Sequence, residues 1–155
     1  MICRVKIEQL LYGGSGLARH EGKAIFVPYS VPGDVLDVEI IETKPDFMRG
    51  RIAELVQPAA ERVKPECPYF GQCGGCDLQH MNYEAQIYWK KIFIIDALKR
   101  IAKVIPPKTV RFFSASPWAY RNRVQWKFEN RGGNEPRFGF FAKETNRIID
   151  RKSVV

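Results

Sequence analysis

The chain has 155 residues, with 25 Lys/Arg against 17 Asp/Glu for a net charge of +8, and 45% of its residues are hydrophobic. That length suits one ordinary domain or two small ones, and that apolar fraction excludes wholesale disorder. The start, Met1-Ile-Cys-Arg-Val-Lys6, is too charged for a signal peptide, and Lys90, Lys91, Asp96, Lys99, Arg100 and Lys103 break up the most apolar stretch, so no membrane span is expected and the chain reads as cytoplasmic, with reduced thiols.

Residues 1–57 read as a small β-barrel. Cys3, Val5 and Ile7 alternate with polar positions as a half-buried strand does. The run Gly13-Gly14-Ser15-Gly16 is a hairpin turn rather than a phosphate cradle, because no helical pattern follows it. Ala24–Pro28 is a short buried strand, and Pro32-Gly33-Asp34 turns the chain into the next. There Leu36, Val38 and Ile40 face the core while Val35, Asp37, Glu39 and Ile41 face away. A last strand covers Met48–Val56. Several short strands in under about sixty residues suggest a closed, OB-like barrel.

Residues 58–155 begin with a Pro/Cys/Gly connector. Its run Cys67-Pro-Tyr-Phe-Gly-Gln-Cys73-Gly-Gly-Cys76 puts three soft ligands within ten residues, and Gly74-Gly75 lets the backbone curl around an ion or cluster. Thiolates this close cannot all pair as disulfides. The spacing is one ligand short of a four-cysteine zinc or iron–sulfur site, so Cys67, Cys73 and Cys76 are the candidate metal ligands. Asn82 then caps a helix over 83–104 with Ile87, Ile94, Leu98, Ile101 and Ile105 at helical spacing, a stripe that predicts packing against something sizeable. Pro106-Pro107 ends it. Short strands follow at 110–113, 121–129, 138–142 and 147–150, with a turn at 131–134. The fold class expected is therefore mainly β with one long helix, α+β.

Charge is uneven along this order. Residues 1–57 carry seven Lys/Arg against eight Asp/Glu, whereas residues 108–152 carry eleven against four. Cations interleaved with Trp118, Tyr120, Trp126, Phe128, Phe138, Phe140 and Phe141 favour a nucleic-acid partner, since phosphates release counterions on neutralisation and rings stack bases. Arg121, Arg123 and Lys127 would lie in a row on one strand face, about 7 Å between i, i+2 positions. Arg49 and Arg51 form a smaller pair on a barrel strand.

Taken together, these motifs are more specific than any one alone. Tyr12-Gly-Gly-Ser-Gly-Leu-Ala-Arg19, Phe26-Val-Pro28 and Pro32-Gly-Asp34 resemble the TRAM domain, a small RNA-binding barrel. Cys67 to His80, with Tyr83-Glu84, Tyr120-Arg-Asn-Arg123 and Phe138-Gly-Phe140, resembles the iron–sulfur and central segments of RNA (uracil-5-)-methyltransferases. The resemblance runs over the whole chain. It implies a [4Fe–4S] cluster, an RNA substrate (ribosomal rather than transfer RNA) and S-adenosylmethionine as methyl donor.

Two departures from the family pattern stand out. The family's fourth cluster ligand follows an Ile/Val-Val-Asp pattern by four residues; here Ile148-Ile149-Asp150 leads to Val154. Cys3 is the only other cysteine, and His80 keeps its own place in the motif. The family's catalytic domain carries a cysteine that adds to C6 of uracil, a step without which C5 is no nucleophile. No cysteine follows Cys76 and no Gly-x-Gly-x-x-Gly turn occurs, so no catalytic or S-adenosylmethionine-binding residue is assigned. The expected function is the RNA-binding, cluster-bearing N-terminal half of such an enzyme, inactive in methyl transfer alone. The alternative is a stand-alone zinc or iron–sulfur RNA-binding module; an electron-transfer protein ranks below both, since ferredoxin-type clusters use four cysteines in tighter repeats.

Overall fold

The computed structural model describes residues 1–105, 111–130 and 136–150. Its described residues fall into two compact units, one built from the ranges 1–64 and 80–113 and the other from 65–79 and 114–155.

In the first unit six strands form one sheet: β1 (Ile2–Lys6), β2 (Gln9–Leu10), β3 (Ser15–His20), β4 (Lys23–Pro28), β5 (Val35–Thr43) and β6 (Phe47–Gln57), in the order β1-β5-β6-β4-β3-β2. Neighbours are antiparallel except β4 and β6, which run parallel. The sheet curls because one bent segment serves both of its edges. β1 pairs with β5, and two residues later β2 pairs with β3, with Glu8 N–H donating to the Leu17 carbonyl at 2.8 Å between them. Register shifts between β5 and β6 add to the bend. Cys3, Val5, Ile7, Ala18, Ile25, Val27, Leu36, Val38 and Met48 fill the inside, so the expected alternations of β1 and β5 hold. Gly50 is required there, since a Cβ at that position would collide with the Val38 side chain. Gly13 and Gly14, with φ of 91° and 82°, make the β2–β3 turn as a hairpin reading predicts. The β3 strand itself was not expected.

Helix α1 runs Tyr83–Arg100, and the Asn82 side chain accepts from the Ala85 N–H at 2.9 Å, the predicted cap. The Phe93 ring meets the Tyr12 ring edge-on, with centroids 6.2 Å apart. Among the described residues the expected packing along the apolar stripe is met only in part: Ile87 and Leu98 are half-buried, Ile94, Ile101 and Ile105 are exposed, and Ala85 is the one buried residue described in the helix. No described helix is long and apolar enough to cross a membrane.

In the second unit β7 (Lys127–Glu129), β8 (Arg137–Phe141) and β9 (Ile148–Asp150) form an antiparallel sheet in that order. The strand expected over 121–129 is thus confined to its last three residues. The reason lies on the partner strand. Past Gly139, the β8 backbone is engaged by the cysteine loop, through an antiparallel bridge between Cys73 and Ala142 and a 2.8 Å bond from Gly74 N–H to the Phe141 carbonyl. Residues 121–126 find that position taken. Residues 111–113 form no strand, while position 110 and the turn at 131–134 lie outside the described residues.

Candidate nucleic-acid interface and cysteine loop

The first unit ends in a polar clamp that shapes the entry to the connector. Asp34 is fully buried at the turn between β4 and β5, where its carboxylate accepts from the N–H groups of Val31 at 2.6 Å and Ala59 at 2.9 Å. Arg62 closes on it with Nη2 at 2.6 Å and Nε at 3.0 Å, and also donates to the Tyr29 carbonyl at 2.9 Å. Burial pushes the Asp34 pKa up, but the guanidinium bond and the two amides outweigh it and hold the carboxyl below the ordinary aspartate range. Next to this clamp the two stems of the connector pair: Val63 N–H donates to the His80 carbonyl and Asn82 N–H to the Glu61 carbonyl. Nothing in the sequence pattern marked Asp34 or Arg62. An Asp after Pro-Gly signals a turn, and a lone Arg signals nothing until its partner 28 residues away is seen.

On the barrel surface Arg49 and Arg51 are both exposed and both paired. Arg51 Nε lies 2.7 Å from Glu39 and Arg49 Nη1 3.5 Å from Glu42, and the Arg49 guanidinium carbon lies 5.9 Å from the centroid of the Phe47 ring. The Arg51 hydrogen bond lowers the Glu39 pKa. In the second unit Arg121, Arg123 and Lys127 are exposed, and none has an ion pair with a described acidic residue. The Arg121 guanidinium lies 5.6 Å from the Tyr120 ring centroid and the Lys127 ammonium 5.7 Å from that of Phe141. The three do not stand in a strand row, since Arg121 and Arg123 precede β7. Lys127 instead lines a cleft of about 560 Å³ with Gly74, Asp77, Phe141, Lys143 and Asn146. The Lys143 ammonium bonds Asp77 across it at 3.1 Å.

Cys67 and Cys73 are buried and Cys76 is partly exposed, all three on the loop of the second unit. Gly75 N–H points at Cys73 Sγ from 3.4 Å, and Cys73 packs with Ala142, Ile149 and Phe140. A Cβ on Gly74 would sit 2.9 Å from the Phe141 carbonyl, so this close approach needs glycine. The donor chemistry suits a thiophilic group: three soft thiols, two buried, with an amide directed at a sulfur. Among the described residues no three His, Cys, Asp or Glu side chains are gathered around one point as they would be around a single ion. Cys3 lies in the barrel core, where burial raises its thiol pKa. His80 is buried in the first unit with Nε2 donating to the Ser30 carbonyl at 3.2 Å. Val154, the expected fourth-ligand position, lies outside the described residues.

Residues 2–53 match the TRAM domain model. An uncharacterized RNA methyltransferase of Halalkalibacterium halodurans is 38% identical over 96% of this chain and 32% of its own length. The 23S rRNA (uracil(1939)-C(5))-methyltransferase RlmD of Nitrosospira multiformis is 36% identical over 99% of this chain and 35% of its own. A solved structure of Pyrococcus abyssi tRNA (uracil-54, C5)-methyltransferase with S-adenosyl-L-homocysteine aligns to 65% of this chain and 22% of its own, at 33% identity and a TM-score of 0.39. The chain spans about a third of the length of the curated relatives it matches. The TRAM match at residues 2–53 and relatives named as RNA methyltransferases across nearly all of the chain are consistent with the N-terminal part of a 23S rRNA uracil-5-methyltransferase.

Proposed function

We propose that this chain is the RNA-recognition and cluster-bearing part of an S-adenosylmethionine-dependent rRNA uracil-5-methyltransferase. The observation that carries the reading is the match of 99% of the chain to an enzyme named for 23S rRNA uracil methylation. Residues 1–57 serve as the RNA-binding barrel, and residues 58–155 as the cluster connector and the rest of the recognition surface. Arg121, Arg123 and Lys127, exposed and without a described acidic partner, are the principal phosphate-binding side chains; Arg49 and Arg51 add to them. Ribosomal rather than transfer RNA is the substrate, in keeping with the names of the RlmD relatives. Cys67, Cys73 and Cys76 hold a [4Fe–4S] cluster, whose bound form would supply covalent cross-links to a loop poor in apolar residues. S-adenosylmethionine is used elsewhere in the protein, and no residue of this chain is assigned to it.

The test is affinity for a 23S rRNA fragment as a function of salt. Removing one cation that neutralises a phosphate of a single-stranded segment flattens the slope of log K against log salt by about 0.7. Arg121→Ala, Arg123→Ala and Lys127→Ala should each do so by about that amount. A parent chain with no salt-dependent RNA affinity would overturn the proposal. So would m5U formation by the pure 155-residue chain with S-adenosylmethionine, since the recognition part alone should form none.

A further inference from the structure

The sheet of the second unit has one face covered at one end and open at the other. Directly opposite residues of antiparallel strands share a face, so Phe128, Phe138, Phe140 and Ile149 lie together, as Phe128 pairs with Phe138 and Phe140 with Ile149. At the Ile149 end this face is closed by Cys73 and Ala142. At the Phe128 end no described residue closes it: Phe128 is 67% exposed. The Trp126 indole lies flat on Phe138, with centroids 5.4 Å apart and planes within 16°, and remains 36% exposed. Stacked on Phe138, the indole has its second face on the side away from that ring, and a partly exposed ring face is what a stacking partner requires.

We propose that Trp126, Phe128 and Phe138 form a stacking platform for an unpaired RNA base. The inference rests on the RNA-binding reading above and names the form of RNA that this face takes: a single strand rather than a duplex. Bases inside a helix present only their edges, whereas an unstacked base offers its face to an aromatic ring. The charge around the platform fits a polyanion and not an apolar protein partner. Residues 114–155 carry nine Lys/Arg against four Asp/Glu. Arg121 and Arg123 lie five and three residues before Trp126, and Lys127 and Arg137 adjoin Phe128 and Phe138 in sequence. All four cations are exposed. Aromatic faces with cations along their margin are the recurring design of single-strand binders.

The experiment uses the whole chain with a 12-nucleotide single-stranded RNA and a duplex of equal length. Phe128→Ala should lower single-strand affinity about five- to a hundredfold while leaving the salt slope at the parent value, because base stacking releases no counterion. Phe128→Trp should restore the affinity. With Trp89 and Trp118 changed to Phe, the remaining Trp126 fluorescence should be quenched by the single strand and not by the duplex. The 67% exposure of Phe128 makes its truncation safe for folding, and an unchanged melting temperature is the control. If the parent binds RNA with a clear salt slope but Phe128→Ala and Trp126→Ala bind as tightly as it does, the platform is refuted and the RNA reading survives. Loss of self-association in Phe128→Ala without loss of RNA affinity would assign the face to protein association and equally refute the platform. A parent with no salt-dependent affinity at all removes the RNA reading itself.

Discussion

Replacing Asp34 by Ala is the most informative perturbation of the barrel. The substitution deletes the acceptor for two amides, those of Val31 and Ala59, and for the Arg62 guanidinium, at distances of 2.6 to 3.2 Å. Arg62 is only 17% exposed and keeps the Tyr29 carbonyl alone among its described partners, so its charge is left largely uncompensated. Breaking one side of a buried ion pair costs about 3–5 kcal/mol, about a fifth or more of the stability of an ordinary domain. Asp34→Asn keeps the shape and one acceptor oxygen and should cost about 1.5–3 kcal/mol, the range for hydrogen bonds to charged groups. Urea unfolding is the assay. In a background with Trp118 and Trp126 changed to Phe, Trp89 reports the first unit alone. The carboxyl is held below its ordinary range in the folded chain, so its contribution is fully present above the unfolded value of about 3.9. It is lost as the pH falls through the lower folded value. Asp34→Asn should remove that part of the acid sensitivity. A cost under about 1 kcal/mol for Asp34→Ala, or an unchanged acid midpoint for Asp34→Asn, would show that the clamp is not what holds the turn to the connector.

Cys73→Ser, purified without oxygen, should lose the iron content and brown colour of the parent; equal iron and equal melting temperature in the two would count against the cluster. Val154→Cys should raise iron occupancy if that position is the missing fourth ligand, and no gain would argue against the alignment. Asn82→Ala should destabilise the first unit by about 1 kcal/mol through loss of the cap, read as a lower urea midpoint of Trp89 fluorescence.

The parts of the fold that sequence could reveal are those with a local period. The alternation Cys3, Val5, Ile7 and the inward set Leu36, Val38 carry one chemical type every second residue, and both lie in the core. The helix start was legible because a cap is a local bond, three residues long. β3 was not, because Gly16, Leu17 and Ala18 are buried in succession and blur the period of two. Gly16 serves the interior by lacking a side chain, since a Cβ there would strike Ser30 and Ile7. The strand over 121–129 was overread for the opposite reason. Its residues have strand chemistry, but the length of a strand depends on a partner's free edge, and the cysteine loop occupies that edge at Phe141 and Ala142. The spacing of the three cysteines makes them a candidate ligand set, and the fold carries them on one loop with two of them buried, whereas the Asp34–Arg62 pair depends on a meeting of distant residues that no local pattern encodes.

The same distinction governs the basic residues. By sequence Arg49 and Arg51 look like a cation pair on an acidic barrel; in the fold each already lies beside a glutamate of β5. These pairs are exposed, and exposed ion pairs are worth little, about 0–1 kcal/mol. A phosphate arriving at β6 therefore meets cations whose present partners are cheap to displace, yet whose long-range field those partners largely cancel. Arg121, Arg123 and Lys127 differ in having no described acidic partner to cancel theirs. Of these five cations, Arg121, Arg123 and Lys127 are thus the ones whose field at a Debye length, about 8–10 Å in ordinary buffers, is not offset by a described carboxylate alongside, as it is at Arg49 and Arg51. Salt should accordingly slow association mainly through the second-unit cations, and Arg51→Ala should alter the dissociation rate more than the association rate. Stopped-flow association with an rRNA fragment decides it: an Arg51→Ala variant whose association rate falls as far as that of Arg121→Ala would place the steering field on the barrel.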